Sequence, residues 1–504
     1  MFSVFSFFSP FIIFLNRHSW VVHALVASTL LIVILHLIGP WWSVYQFDLD
    51  EGLCLIKSIL VSEGWILYQD IWNDQPPFLT FIQAAIFWIF TPDVILGRAI
   101  ILFFSMLAII SLFRIVFLQA GIIAAWLGVL LLISGYLFLR LSVSSMIGLP
   151  SIALIITSMS IAIQIKSCRD YKNLIFSGVL ASLSLATKLF VMPMVLGVAF
   201  IIFINISRPN MIFVALYVSI IWLTLVFVVL VGIFLPFGES VIHQLFDSHS
   251  SARASGIYRH LGGFFHLWTL MKQHPQYLFF GLTGLFITLF DKKNRYFLIG
   301  PLAWFLGNFL ALALHQPIWY HHLLLLHIPC AWLAGLGAGS VINLWKNFER
   351  NRCRSKIPIL ALCIFGLITA GYFSTLSITH QLTKLSRDFS KLPSKYDLMA
   401  VAALSKYKNK TTWVLTDYPM DTVRAGLLSI PPTAVYPAKR VTSKNITQKL
   451  LIKYIKEYRP EQISYRRFFM GKKVKSYLDK HYLRLETNPE QMHYILREFS
   501  KNNN

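Results

Sequence analysis

Phe47-Asp48-Leu49-Asp50-Glu51-Gly52 opens a polar stretch that Tyr68-Gln69-Asp70-Ile71-Trp72-Asn73-Asp74-Gln75-Pro76-Pro77 continues, and long apolar runs lie on either side of it. Residues 42–97 carry seven acids (Asp48, Asp50, Glu51, Glu63, Asp70, Asp74 and Asp93) against the single base Lys57. A connection of that length is usually functional or disordered. This one is not composed like disorder, because its Trp and Tyr residues suit the headgroup level of a bilayer.

The apolar runs 21–39, 122–139, 211–237 and 323–344 are each long enough to cross roughly 30 Å of hydrocarbon at about 1.5 Å per residue. With 56% hydrophobic and 13% charged residues among 504, the chain has about half the charge of an ordinary soluble protein. The sequence therefore predicts a polytopic α-helical membrane protein. About eleven spans are expected, near 20–41, 98–117, 121–139, 146–165, 173–188, 190–206, 211–236, 276–290, 296–314, 319–343 and 357–377. The apolar run 78–90 is too short to cross and reads as a helix lying along the interface.

Charge supports that count. With 78–90 left on the surface, Arg17, Arg114, Lys166, Arg169, Lys172, Arg208, Lys292, Lys293, Arg295 and the basic cluster from Lys346 to Lys356 fall on one side, as cytoplasmic loops require. The acidic stretch 42–97 then lies outside, the N-terminus is cytoplasmic and the chain beyond residue 378 is extracytoplasmic. Residues 1–16 are apolar with no basic segment before them, and read as an interfacial lead-in rather than a cleavable signal.

Two units follow: a membrane domain over 1–378, with 42–97 as its first outer loop, and a small α/β domain over 379–504. In the second, 412–416 and 462–465 read as strands and 449–458 as an amphipathic helix. This unit holds 24 Lys and Arg against ten acids and so supplies most of the net charge of +23. Beside a membrane, that excess points to anionic headgroups rather than to nucleic acid. The five cysteines show no metal-ligand or disulfide spacing. No cofactor is expected, and a metal is possible without being indicated.

Three carboxylates within four residues have two readings. Asp is a preferred N-cap and acids favour a first helical turn, so Asp48, Asp50 and Glu51 can simply start a helix near Gly52. They can equally do chemistry at the membrane surface.

The stretch Asp50-Glu51-Gly52, followed by Tyr68-x-Asp70-x-Trp72-x-Asp74-Gln75-Pro76-Pro77, resembles the first outer loop of the GT-C membrane glycosyltransferases. The likeness is to the branch of protein O-mannosyltransferases and the lipid A aminoarabinose transferase. The run 178–188, ending Thr187-Lys188, resembles a further family motif, as does Tyr320-His321-His322-Leu323 with Pro329, in which aromatic and His are reversed. Thr416-Asp417-Tyr418-Pro419-Met420 and the segments after it look like the C-terminal part of prokaryotic members.

The resemblance implies transfer of a sugar from a polyprenyl-phosphate carrier to a hydroxyl on an acceptor protein, lipid or glycan, at the outer face of the membrane, with inversion; the lack of an endoplasmic reticulum retention signal points to a plasma membrane. By its match to the family pair, Asp50 is the expected general base, with Glu51 orienting it or the acceptor. Asp74 and Gln75 are expected to shape the acceptor or sugar pocket. The aminoarabinose branch has Lys near the position of Gln75, which argues against that donor here. Lys188, Arg140, Tyr320, His321 and His322 are the candidates for meeting the carrier phosphate. Arg140 reads equally as a snorkelling anchor, and the two histidines as members of an interfacial belt. The outer loop 237–275, with His243, Asp247, His249, Arg253, Arg259, His260 and His266, reads as a lid, or less readily as a metal site. A transporter or flippase is the competing class; it usually keeps polar groups at mid-membrane, where this sequence has almost no charge.

Overall fold

A computed structural model describes residues 19–207, 211–254, 256, 258–351, 357–442, 444–467, 471–488 and 491–498. The lead-in at 1–16, Arg17, Arg208 and the bases between 352 and 356 lie outside these residues. The first half of the chain forms α1 (Ser19–Ile38), α2 (Leu49–Ser62), α3 (Phe78–Ile89), α4 (Val94–Ala120), α5 (Ile122–Ile133), α6 (Tyr136–Ser142), α7 (Gly148–Ala162), α8 (Tyr171–Leu185), α9 (Met192–Ile206) and α10 (Ile212–Phe234). After a segment of short helices come α11 (Pro275–Phe290), α12 (Ile299–Ala313), α13 (Leu324–Asn351) and α14 (Ile357–Phe389).

Among the described residues, six helices are long and apolar enough to cross a membrane, and a seventh span results if α5 and α6 are taken together. The helices α3, α7 and α11 are apolar but shorter. The run expected to span at 121–139 is bent by 77° between α5 and α6. Ser134 and Gly135 form the break, and a side chain at Gly135 would collide with the Tyr277 hydroxyl. The polar groups at the break find partners: Tyr277 donates to Leu132 O at 3.1 Å and Tyr136 N donates to Gln381 Oε1 at 3.3 Å.

α13 is the most enclosed of the long helices, and two features place it there. Glycines let backbones approach where hydrophobic burial gives helices little reason to associate. A Cβ on Gly335 would stand 2.8 Å from Ala124 O, and one on Gly128 would stand 3.0 Å from Ala331 O. Inside the helix, Pro329 lacks the N–H that would bond Leu325 O. Trp304 of α12 supplies the missing donor, its indole reaching Leu325 O at 2.8 Å.

Beyond the membrane helices, α15 (Lys395–Ser405), α16 (Pro419–Ala425), α17 (Gln448–Tyr458) and α18 (Lys472–His481) accompany four strands. These are β1 (Val414–Thr416), β2 (Gln462–Tyr465), β3 (Tyr482–Asn488) and β4 (Gln491–Leu496), in sheet order β1-β2-β4-β3. β1 runs parallel to β2, with Leu415 opposite Ile463; β4 is antiparallel to both β2 and β3. Leu451 and Ile455 of α17 and Val474 and Leu478 of α18 bury against Ile463, Tyr465 and Tyr494. Their lysines face outward.

This C-terminal unit grips the 42–97 stretch. A Cβ on Gly52 of α2 would sit 2.8 Å from Met420 N of α16. Tyr45 donates a short hydrogen bond to Asp421, and Arg424 donates to the carbonyls of Val44 and Tyr45 at 2.8 and 2.9 Å. Arg440 lies 4.6 Å from the Trp72 ring centre, and Trp65 meets Trp413 edge-on.

Candidate active site

The three adjacent carboxylates take three different positions. Asp48 is the N-cap of α2: extended at φ −149°, it accepts from Asp50 N at 3.1 Å. Its other oxygen accepts from the Tyr320 hydroxyl at 2.7 Å. Glu51 turns inward, wholly buried, where Arg98 of α4 holds both oxygens, Nε at 2.8 Å and Nη2 at 2.9 Å. Phe47 N and Ser145 N complete the carboxylate, while Arg98 spends its remaining donor on Trp41 O and Val44 O. Only Asp50 lines the large cavity beside the helix.

That cavity encloses about 960 Å³. One wall is the face of α2 carrying Asp50, Leu53, Cys54 and Lys57, at i, i+3, i+4 and i+7. Asp74, Gln75 and Pro76 form a second side. Lys188, in the turn after α8 and before α9, projects into the same space beside His315, His321 and His322. Beyond them the wall becomes apolar, through Pro193, Leu196 and Phe200 of α9 and Ala303, Gly307 and Ala311 of α12. Leu245, Phe246, His249, Arg253 and Tyr258 of the expected lid segment face the cavity, as do Val435 and Pro437 of the C-terminal unit.

The cations differ in what holds them. Burial pulls the Lys188 ammonium down to about 8, against the opposing fields of Asp50 and Asp48. Burial likewise lowers Lys57, whose ammonium donates to Asn73 Oδ1 at 2.7 Å. His315 is pushed down to about 4 by burial and by the positive charge of Lys188 and Arg253, so at neutral pH its ring is uncharged. His322 stacks on Phe190, with ring centres 4.6 Å apart, and its Nδ1 accepts from Trp319 N at 3.2 Å.

The 73–76 turn is held from several sides. Asn73 Nδ2 and the Tyr68 hydroxyl both donate to Gln75 O, at 2.6 and 2.5 Å. Gln244 accepts from Asn73 N at 2.8 Å and donates to Tyr68 O at 2.8 Å, tying the turn to the segment after α10. Asp74 is buried, with its Oδ2 3.7 Å from His249 Nε2.

Of the residues selected from the sequence, Asp50, Asp74, Gln75, Lys188, His321 and His322 come together around the cavity, and Glu51, Arg140 and Tyr320 do not line it. Glu51 is committed to Arg98 and touches neither Asp50's side of the helix nor the cavity. Arg140 donates to Phe47 O and to the Tyr136 hydroxyl and lies 5.0 Å from the Tyr320 ring centre, so this cluster supports Asp48 from behind. Lys57, His315, Arg98 and the C-terminal loop at Val435 were not selected. Lys57 stands out in the sequence as the single base among seven acids, and Arg98 as a charge at the head of an apolar run. Among the described residues, no three His, Cys, Asp or Glu side chains are placed to hold one metal ion.

The chain has the GT-C fold of membrane glycosyltransferases. It is similar to ArnT from Cupriavidus metallidurans bound to undecaprenyl phosphate, with a TM-score of 0.60 at 10% identity over 94% of this chain and 98% of that one. It is also similar to the Archaeoglobus fulgidus oligosaccharyltransferase tethered to an acceptor peptide, with a TM-score of 0.56 at 13% identity over 96% and 75% of the two chains. A third similar structure is AglB of the same organism with an inhibitory peptide and a dolichol-phosphate, with a TM-score of 0.53 at 12% identity over 90% and 70%. No protein-family model and no curated protein sequence matches the chain.

Proposed function

We propose that the protein transfers a sugar from a polyprenyl-phosphate carrier to an acceptor hydroxyl at the outer face of a plasma membrane. One observation carries the reading: a single cavity joins a carboxylate, Asp50, and a lysine, Lys188, to a long apolar wall along α9 and α12. An amphipathic donor has those requirements, with a phosphate held by cations and a hydrocarbon chain lying beyond it. The lipids held by two of the similar structures, undecaprenyl phosphate and dolichol-phosphate, are of that class.

In this reading the acceptor oxygen attacks the anomeric carbon from the face opposite the carrier. Asp50 takes the hydroxyl proton as the new C–O bond forms, and the bond from the anomeric carbon to the phosphate oxygen breaks. The leaving polyprenyl phosphate gains negative charge, which the Lys188 ammonium and neutral N–H donors on His315, His321 or His322 compensate in a dry cavity. Attack from the opposite face inverts the anomeric centre. Glu51 acts on this chemistry through the backbone, holding Phe47 N and Ser145 N so that α2 starts where Asp50 faces the cavity.

In this reading 42–97 and the C-terminal unit lie outside, an orientation that the basic loops support, and the chain makes eleven crossings with α7, α8 and α11 among them. The acceptor enters from the aqueous side, past Tyr258, Val435 and Pro437.

The test is sugar release from radiolabelled polyprenyl-phosphate sugars by the purified chain beside Asp50→Asn. Turnover by wild type with loss of at least a hundredfold in the variant, and donor binding retained, supports the assignment. An equally active variant refutes Asp50 as base, and absence of turnover and donor binding with every lipid-linked sugar refutes the donor class.

A further inference from the structure

Lys57 lines the same cavity as Asp50 but has no part in the transfer step described above. It is 2% exposed, and Asn73 Oδ1 at 2.7 Å is its one hydrogen-bond partner among the described residues. No carboxylate lies within ion-pair distance of its ammonium among those residues. An ammonium has three N–H donors. Two therefore remain for an occupant of the cavity.

A buried charge whose one hydrogen-bond partner among the described residues is a neutral amide is costly, and burial lowers the affinity of Lys57 for its proton. An arriving anion removes that cost. Asp50 acts on both Lys57 and Lys188, and the two lysines reach the cavity from different elements, α2 and the turn before α9. Along α2, seven residues separate Asp50 from Lys57, which is about 10 Å of helix axis. That matches a pyranose whose anomeric carbon stands about 3 Å from the attacking oxygen and whose ring substituent points away from it.

We propose that Lys57 receives the carboxylate of a uronic-acid-type donor sugar while Lys188 meets the carrier phosphate. The inference rests on the glycosyl-transfer reading above and names its sugar class. A carboxylate suits the site better than a phosphate substituent: it brings one charge and two acceptor oxygens to one ammonium and two free N–H bonds. A doubly charged group calls for a second cation, and around Lys57 stand the Asn73 amide and the Cys54 thiol.

The test measures equilibrium binding of three probes to the full chain in lipid nanodiscs: undecaprenyl phosphate, undecaprenyl-phosphate glucose and undecaprenyl-phosphate glucuronate. Wild type is expected to bind the glucuronate form about tenfold or more tighter than the glucose form. Lys57→Gln removes that preference. Asn73→Asp, which gives Lys57 an internal counter-charge, removes it too without emptying the wall, and the bare lipid phosphate reports whether each variant keeps its fold and phosphate site. Equal affinity of wild type for the two sugars overturns the inference and leaves the transferase reading standing. A preference that survives both variants also overturns it. Failure of wild type to bind any of the three probes overturns the transferase reading itself.

Discussion

Arg98 holds both oxygens of Glu51 in a pair that is wholly buried on each side, so the carboxylate beside the proposed base is a fixture of the fold. Removing one partner leaves a charge in the protein interior, at a cost of about 3–5 kcal/mol. Glu51→Gln or Arg98→Ala is therefore expected to lower the unfolding midpoint sharply, whereas Asp50→Asn leaves it near wild type. Thermal unfolding in detergent, followed on the three variants in parallel, separates the two roles.

Lys188 gives activity a basic limb. Its folded pKa of about 8 lies below that of a free lysine, because burial disfavours the ammonium. In the proposed reaction the charged form is the one that meets phosphate, so kcat/KM is expected to fall about tenfold per pH unit above that value. Lys188→Arg keeps its charge and should shift the limb upward out of the measured range. Lys188→Met should reduce kcat by about a hundredfold or more at all pH values.

Asp421 makes the grip of the C-terminal unit pH-dependent. Burial raises its pKa to about 7, against the opposing effects of the Arg466 guanidinium, 2.8 Å away, and of the Tyr45 hydrogen bond. The folded state thus holds a proton that the unfolded chain, with a carboxyl near pKa 3.9, has released. Between about pH 4 and 7 stability declines as pH rises, and above 7 this contribution is lost. Melting curves from pH 5 to 8 should show the decline in wild type and a flatter profile in Asp421→Asn.

Trp304 and Pro329 form a compensating pair. Trp304→Phe removes the donor to Leu325 O and is expected to destabilise by about 1–3 kcal/mol, the cost of an unpaired buried carbonyl. Pro329→Ala restores an N–H at the residue that would ordinarily bond Leu325 O. The double variant should recover much of the loss, and a double-mutant cycle of unfolding midpoints measures the coupling.

The apolar runs marked nearly all the long helices, since a 20-residue stretch without charge has few other uses. The bend after Ile133 was hidden, because Ser134-Gly135 reads as an ordinary small pair until Tyr277 is seen filling the space beside it. Of the small sheet, β1 and β2 were legible as short apolar runs between turns. β3 and β4 were missed, although Leu483 and Leu485 alternate with Arg484 and Glu486 as a strand should.

At the site, the motif order singled out the 42–97 loop, but the sequence could not tell apart the surroundings of Asp48, Asp50 and Glu51. That division depends on Tyr320 and Arg98, which approach from helices far along the chain. Arg140 was selected because a cation at a span end suits phosphate. The same position allows it to reach Phe47 O, and sequence spacing does not distinguish these geometries.

The embrace of Tyr45 by Asp421 and Arg424 spans more than 370 residues, joining the 42–97 stretch to the C-terminal unit. The bearing of Asp50 is tied to Met420, whose backbone rests against Gly52 two residues along α2. A chain without the C-terminal unit keeps Asp50 but loses the contacts of Met420, Asp421 and Arg424 that brace the start of α2.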